Sequence, residues 1–198
     1  MTWVRVVGSM AVVSGSLILS APLASQDLPV VTMVTDKGRV TIEIDTVSAP
    51  ATAANFLRYV DAGLYDGGRF YRTVTMQNQP DDEIRIEVIQ GGIDPARGEE
   101  RFPAIPLERT HATGLRHLNG TISVARSGPD TGSSEIFICV GDQPELDFGG
   151  RRNPDGQGFA AFGRVVRGMD VVQEIHQQPV EGQRLVKPVG IVNIRRIP

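Results

Sequence analysis

The chain has 198 residues, 40% of them hydrophobic and 22% charged, with a formal charge of −3 at pH 7. That length suits one domain with a sizeable core plus a short terminal segment. The lack of a basic block argues against nucleic acid as a partner, and a single cysteine, Cys139, excludes an intramolecular disulfide.

Residues 1–25 read as a secretory signal peptide. Arg5 is their only charged side chain, and it precedes an apolar run from Val6 to Leu19 diluted by Gly8, Ser9, Ser14, Gly15 and Ser16. Small residues follow in Ser20-Ala-Pro-Leu-Ala-Ser25. The run falls short of the roughly 20 apolar residues a span needs, so the segment is expected to be cleaved, with no stable membrane insertion afterwards. The expected location is exported, periplasmic or secreted. Cleavage would also remove Trp3, the only tryptophan.

Residues 26–29 form a short lead, and a single domain is expected over 30–197. Val30–Val34 and Arg39–Ile44 are strand-like runs joined by Thr35-Asp-Lys-Gly38; the second alternates polar and apolar residues, so a hairpin is expected. In Ser48–Val60, Pro50 stands near a first helical turn and Ala53, Phe56, Leu57 and Val60 share one face. Short strands are expected at Phe70–Val74, Ile84–Ile89, Thr121–Ala125, Ile136–Val140 and Ala160–Val166. A second helix is expected at Met169–His176 and a final strand at Val189–Ile194. Many strands with two helices suggest a barrel or sandwich with helices across its open ends.

Four ordered blocks resemble the cyclophilin family. They are Ala49-Pro-Ala-Thr-Ala-Ala-Asn-Phe-Leu57 with Leu64-Tyr-Asp-Gly-Gly-Arg-Phe-Tyr-Arg72; Ile89-Gln-Gly-Gly92; the long run Gly120–Cys139; and Leu146-Asp147 with Phe159–Val172. The resemblance implies a mostly β fold: a closed eight-stranded antiparallel β-barrel capped by two α-helices. It also implies a peptidyl-prolyl cis/trans isomerase, a reaction that requires no cofactor or metal, and a monomer is expected. Its partners would be proline-containing peptides and unfolded or flexible protein segments.

Turning an X-Pro bond means crossing about 18–20 kcal/mol of amide resonance. A fixed guanidinium beside the proline nitrogen favours the twisted state, because arginine stays charged and presents a rigid donor fork. By resemblance that group is Arg72, with Gln90 holding the substrate carbonyl. Phe137 matches the floor of the proline pocket, Leu146 its rim, Ala125 the surface under the peptide backbone, and Val88 an apolar wall. Phe159 stands where the family often has histidine, and Phe70 and Phe162 are expected in the core.

The chain departs from the family pattern at several points. Glu87-Val88 replaces Phe-Met, and Glu145 replaces a tryptophan, so Glu87 and Glu145 are expected to bias the groove toward basic peptides. Extra residues at about Thr73–Ile84 and at Phe148–Gln157 are expected to rim the groove. The alternative reading is a peptide-binding chaperone or interaction module on the same barrel with little isomerase activity. His111, His117 and His176 lack zinc-ligand spacing and read as structural or solvated. Asp81-Asp82-Glu83 reads as a loop face. Gly132-Ser-Ser134 makes no nucleophile elbow, and Cys139 reads as a small buried hydrophobe.

Overall fold

The computed structural model describes residues 1–3 and 27–197. The expected signal peptide, residues 1–25, therefore lies almost wholly outside the described residues. Among those described, no helix is long and apolar enough to cross a membrane.

Strands β1 (Val30–Thr35) and β2 (Gly38–Ile44) form the expected hairpin. Thr35 closes its turn: its hydroxyl donates to the Gly38 carbonyl at 2.9 Å and accepts from the Lys37 N–H at 3.1 Å. Alternation then sends Val31, Met33, Val40, Ile42 and Ile44 inward, all essentially without solvent contact. The remaining strands are β3 (Arg69–Val74), β4 (Val88–Gly92), β5 (Thr121–Val124), β6 (Ile136–Cys139), β7 (Ala160–Arg167), β8 (Val180–Glu181) and β9 (Arg184–Arg196). Their order is β1-β2-β7-β5-β6-β4-β3-β9, and β9 pairs back with β1, so eight strands close a barrel with every pairing antiparallel. Strand β8 lies outside that ring, as the short arm of a hairpin with β9.

Two helices are the expected ones. Helix α1 (Pro50–Asp61) starts on its proline, and its first free N–H groups are met from a distant loop. Ala51 and Thr52 donate to the Glu108 carboxylate at 3.1 and 2.7 Å, which places a negative charge at the positive end of the helix. Phe56 on its inner face packs against Tyr65 and Phe162 at ring-centroid distances of 5.4 and 5.1 Å. Burying one such ring contributes about 1.5–3 kcal/mol. A single-turn helix, α2 (Thr110–Thr113), was not anticipated. Helix α3 (Met169–His176) buries Val172 and Ile175, and His176 Nε2 lies 2.9 Å from the Val74 carbonyl, which ties the helix to β3.

Two of the expected strands are displaced by more than a residue at their ends. Ile84–Glu87 is not strand, because a side chain takes the place of a neighbouring strand: Gln79 accepts from the Ile86 N–H and donates to the Ile86 and Thr75 carbonyls. Strand β9 begins five residues before Val189 and passes through Pro188. The register against β3 jumps from Val189 to Arg184, so the proline falls in an irregular stretch where no ladder N–H is needed.

Candidate active site

Alternation along the barrel strands builds two apolar clusters from one set of residues. Ile89, Ile136, Ile138 and Ile122 point inward with Phe70 and Phe162. The residues between them point outward, and Val88, Phe137 and Cys139 join Val74, Ile86 and Leu146 in a second cluster on the barrel's outer face, edged by Ala125 and Phe159. Over this cluster lies an open cavity of about 340 Å³.

Phe137, 4% exposed, forms its floor, and Phe159 meets it edge-on at 5.2 Å and 85°. Ile86, Val88, Leu146 and Ala125 complete an apolar wall. Arg72 and Gln90 stand at the polar side. The Arg72 guanidinium is held at three donors: Nη1 donates to Gln90 Oε1 at 2.6 Å, while Nε (3.0 Å) and Nη2 both donate to Gln183 Oε1. Burial, and next the Arg152 guanidinium, lower the Arg72 pKa from its usual value, yet a guanidinium remains charged in proteins. A cation with only neutral acceptors keeps its field directed at the cavity rather than spent on a carboxylate.

A β-bulge explains why Arg72 reaches this face. Simple alternation after the inward Phe70 would point Tyr71 out and Arg72 in. Instead Phe70 pairs with Gly91 and Arg72 with Gln90, which leaves Tyr71 as the extra residue, and both Tyr71 and Arg72 reach the Gln90 side chain. Gly91 permits the close approach: a Cβ there would lie 2.6 Å from the Arg69 carbonyl oxygen and 2.9 Å from Phe70 Cα.

Beneath the floor is a buried polar strut. His117 stacks on Phe137 at 5.8 Å and 17°, with Nδ1 2.7 Å from Asp147 Oδ1 and Nε2 3.0 Å from Ser123 Oγ. Serine, histidine and aspartate in line is an arrangement hydrolases use, but Ser123 is 0% and His117 1% exposed, so no substrate can reach the hydroxyl. Burial pushes the Cys139 thiol well up as well, which removes it as a nucleophile. Among the described residues no group of three or more His, Cys, Asp or Glu side chains could hold a metal ion.

A family model described as cyclophilin type peptidyl-prolyl cis-trans isomerase/CLD matches residues 30–196. The chain belongs to the cyclophilin-type peptidyl-prolyl cis-trans isomerases. Among curated relatives, a peptidyl-prolyl cis-trans isomerase of Acinetobacter baylyi is 33% identical over 192 residues, covering 94% of each chain. Peptidyl-prolyl cis-trans isomerase A of Dickeya dadantii is 32% identical over 178 residues, covering 89% of this chain and 86% of that one. A crystal structure of a Cryptosporidium parvum cyclophilin-type isomerase superposes with a TM-score of 0.69 at 20% identity, covering 86% of this chain and 98% of that one, a likeness of fold.

Within this cyclophilin the structure brings Arg72, Gln90, Val88, Ala125, Phe137, Leu146 and Phe159 to one cavity. It does not bring Glu87 or Glu145 there. Ile86 and Val88 line the wall and Glu87 between them does not. Glu145 is occupied with the 148–157 loop, accepting from the Arg151 N–H at 2.8 Å and, through its carbonyl, from Arg152 N at 3.2 Å. The expected bias toward basic peptides therefore loses its two carboxylates.

The charged groups that do line the cavity are Arg72, Arg126, Arg152 and Asp82. Arg152 pairs with Asp82 at 2.9 Å and donates to the Ile84 carbonyl at 2.7 Å, joining the two extra loops at one end of the groove. Arg126 makes a two-pronged pair with Asp155 at 2.7 and 2.9 Å, holding that carboxyl down to about 2. Sequence reasoning missed Gln183, which arrives from the β8–β9 turn more than a hundred positions beyond Arg72 with no local motif to mark it. Arg126 lay inside a matched block and could have been found by its place one residue after Ala125.

Proposed function

We propose that Arg72 and Gln90 carry the isomerisation, with Phe137 as floor of the proline site, on proline-containing peptides and flexible segments of exported proteins. The single observation that carries this reading is the Arg72 guanidinium, held by two glutamines at the edge of an aromatic-floored cavity. A proline ring seated on Phe137 brings its nitrogen toward a fixed positive group. As the C–N bond twists, the lone pair localises on that nitrogen and the guanidinium stabilises it, more strongly in the twisted state than in either planar isomer. A crystal structure of the Cryptosporidium parvum relative was determined in the presence of the dipeptide Ala-Pro, which supports proline peptides as the ligand class.

The test is X-Pro exchange in a short peptide with wild-type and Arg72→Ala protein. The substitution is expected to lower kcat/KM by about a hundredfold, some 3 kcal/mol of barrier. Equal rates with intact peptide binding would instead favour the chaperone reading.

Export rests on residues 1–25, with their lone Arg5, apolar run and small-residue end. Protein recovered from cells is expected to have lost about the first 25 residues and to show no tryptophan emission. An intact mass of the full 198 residues would remove the proposed export.

A further inference from the structure

A chain of hydrogen bonds leads away from Arg72 and ends on a half-buried carboxylate outside the groove wall. Arg72 Nη1 lies 2.6 Å from Gln90 Oε1, Gln90 Nε2 lies 2.9 Å from the Tyr71 hydroxyl, and that hydroxyl lies 2.8 Å from Glu135 Oε2. The polarity of every link is fixed by chemistry. A guanidinium can only donate, so the amide oxygen of Gln90 must face it. The amide NH₂ then faces Tyr71, whose oxygen must accept. The one tyrosine proton has to go elsewhere, and an ionised Glu135 can only accept it.

We propose that Tyr71 and Glu135 are positioning residues for the isomerisation: the carboxylate sets the direction of the hydrogen-bond chain, which locks the Gln90 amide and through it Arg72. The proposal rests on the reading of Arg72 and Gln90 given above. With one amide N–H committed to Tyr71, the other is left for a peptide in the cavity that Gln90 lines. The bulge that turns Tyr71 outward beside Arg72 makes the chain possible. Glu135 is fixed against Gly92, where a Cβ would lie 2.5 Å from its Oε1.

The chain is also sensitive to the charge on Glu135. A proton on Oε2 would confront the tyrosine O–H, and one on Oε1 would confront Arg101 Nη2, 3.3 Å away; either placement costs a bond. The ionisable groups around this carboxylate are Tyr71 on β3, Arg101 on the preceding loop, Arg126 across the neighbouring cavity and the buried Tyr65. Burial raises the Glu135 pKa above the ordinary carboxylate value, against the opposing effects of the Tyr71 hydrogen bond and Arg101. The active, ionised form is therefore lost at a higher pH than for a solvated glutamate.

The experiment is exchange kinetics on an X-Pro peptide, with kcat and KM separated, from about pH 4.5 to about pH 8. Wild type is compared with Tyr71→Phe, Glu135→Gln and Arg72→Ala, and thermal melts establish that each variant folds. Tyr71→Phe is expected to lower kcat by about tenfold with KM changed less than about twofold, since the lost hydrogen bond orients rather than binds. Wild type should lose activity on the acid side. Glu135→Gln keeps an acceptor but cannot titrate, so it should lower the neutral rate by about two- to fivefold and remove the acid limb. A flat wild-type profile, an acid limb that persists in Glu135→Gln, or a wild-type kcat in Tyr71→Phe overturns the proposal. If Arg72→Ala alone is slow, only the positioning chain falls; if Arg72→Ala is as fast as wild type, the assignment of Arg72 falls with it.

Discussion

Replacing Gln183 with alanine removes the acceptor shared by Nε and Nη2 of Arg72 and leaves Gln90 as its remaining side-chain partner. A hydrogen bond to a charged group is worth about 1.5–3 kcal/mol. The groove is open, so water recovers part of that, and the loss falls on the placement of the guanidinium. About 1–2 kcal/mol of transition-state stabilisation is expected to go, a fall of about 5- to 30-fold in kcat/KM. Gln183 Nε2 also donates to the Asn78 carbonyl at 3.3 Å, so the 73–84 loop should loosen at the same time. The assay is peptide exchange for wild type, Gln183→Ala, Arg72→Ala and the double variant. If Gln183 acts through Arg72, it should cost almost nothing once Arg72 is gone. Full activity in Gln183→Ala, with unchanged thermal stability, or an additive double variant, refutes the reasoning.

Further outcomes follow from other contacts. His117→Ala should destabilise the protein by about 2–5 kcal/mol in urea unfolding, because it opens a cavity under Phe137 and leaves the buried Ser123 hydroxyl without its partner, while Asp147 keeps only the backbone N–H of residue 117; a loss below about 1 kcal/mol contradicts the strut. With Arg126 paired to Asp155 and Arg152 to Asp82, the Arg72 charge, held by two neutral glutamines, leaves the cavity net positive, so peptides with glutamate beside proline should exceed lysine peptides by about two- to fivefold in kcat/KM, a gap that narrows with salt. The reverse order would return selectivity to Glu87 and Glu145. Asp61 and Asp66 have lowered pKa values, chiefly through hydrogen bonds from Arg196 and Arg195. Their contribution is complete above the ordinary carboxylate value of about 4 and is lost as pH falls through the lower folded values. Glu135, raised by burial, has the opposite sign: folding favours its protonated form, and that contribution fades as pH rises through the raised value. Thermal melts of Asp66→Asn should show a shallower acid decline than wild type; identical slopes count against the Asp66–Arg195 pair.

Much of the barrel was legible because period-2 runs such as Arg39–Ile44 carry their own burial pattern, and helix α1 carries a proline start and an apolar face. The boundaries that moved did so for tertiary reasons. Gln79 replaced a strand partner at Ile86, and Pro188 was absorbed in an irregular stretch of β9. The apolar site residues were legible for the same reason as the core, since Val88 and Phe137 alternate with inward isoleucines. Polar partners were not. Glu108 caps a helix 56 residues away from it, and Gln183 holds an arginine 111 residues away, separations at which sequence carries no local signal.

By itself, then, the sequence determined which residue types were available: an arginine in Phe70-Tyr-Arg72, a glutamine in Ile89-Gln-Gly, and hydrophobic strands to fill a barrel. Only the tertiary structure decided which way they face. Plain alternation would have turned Arg72 into the barrel. The bulge at Tyr71, permitted by the missing side chain of Gly91, turns it onto the outer face, where two glutamines can hold it above Phe137. A bulge is a mismatch between two strands, so it exists only once both are paired.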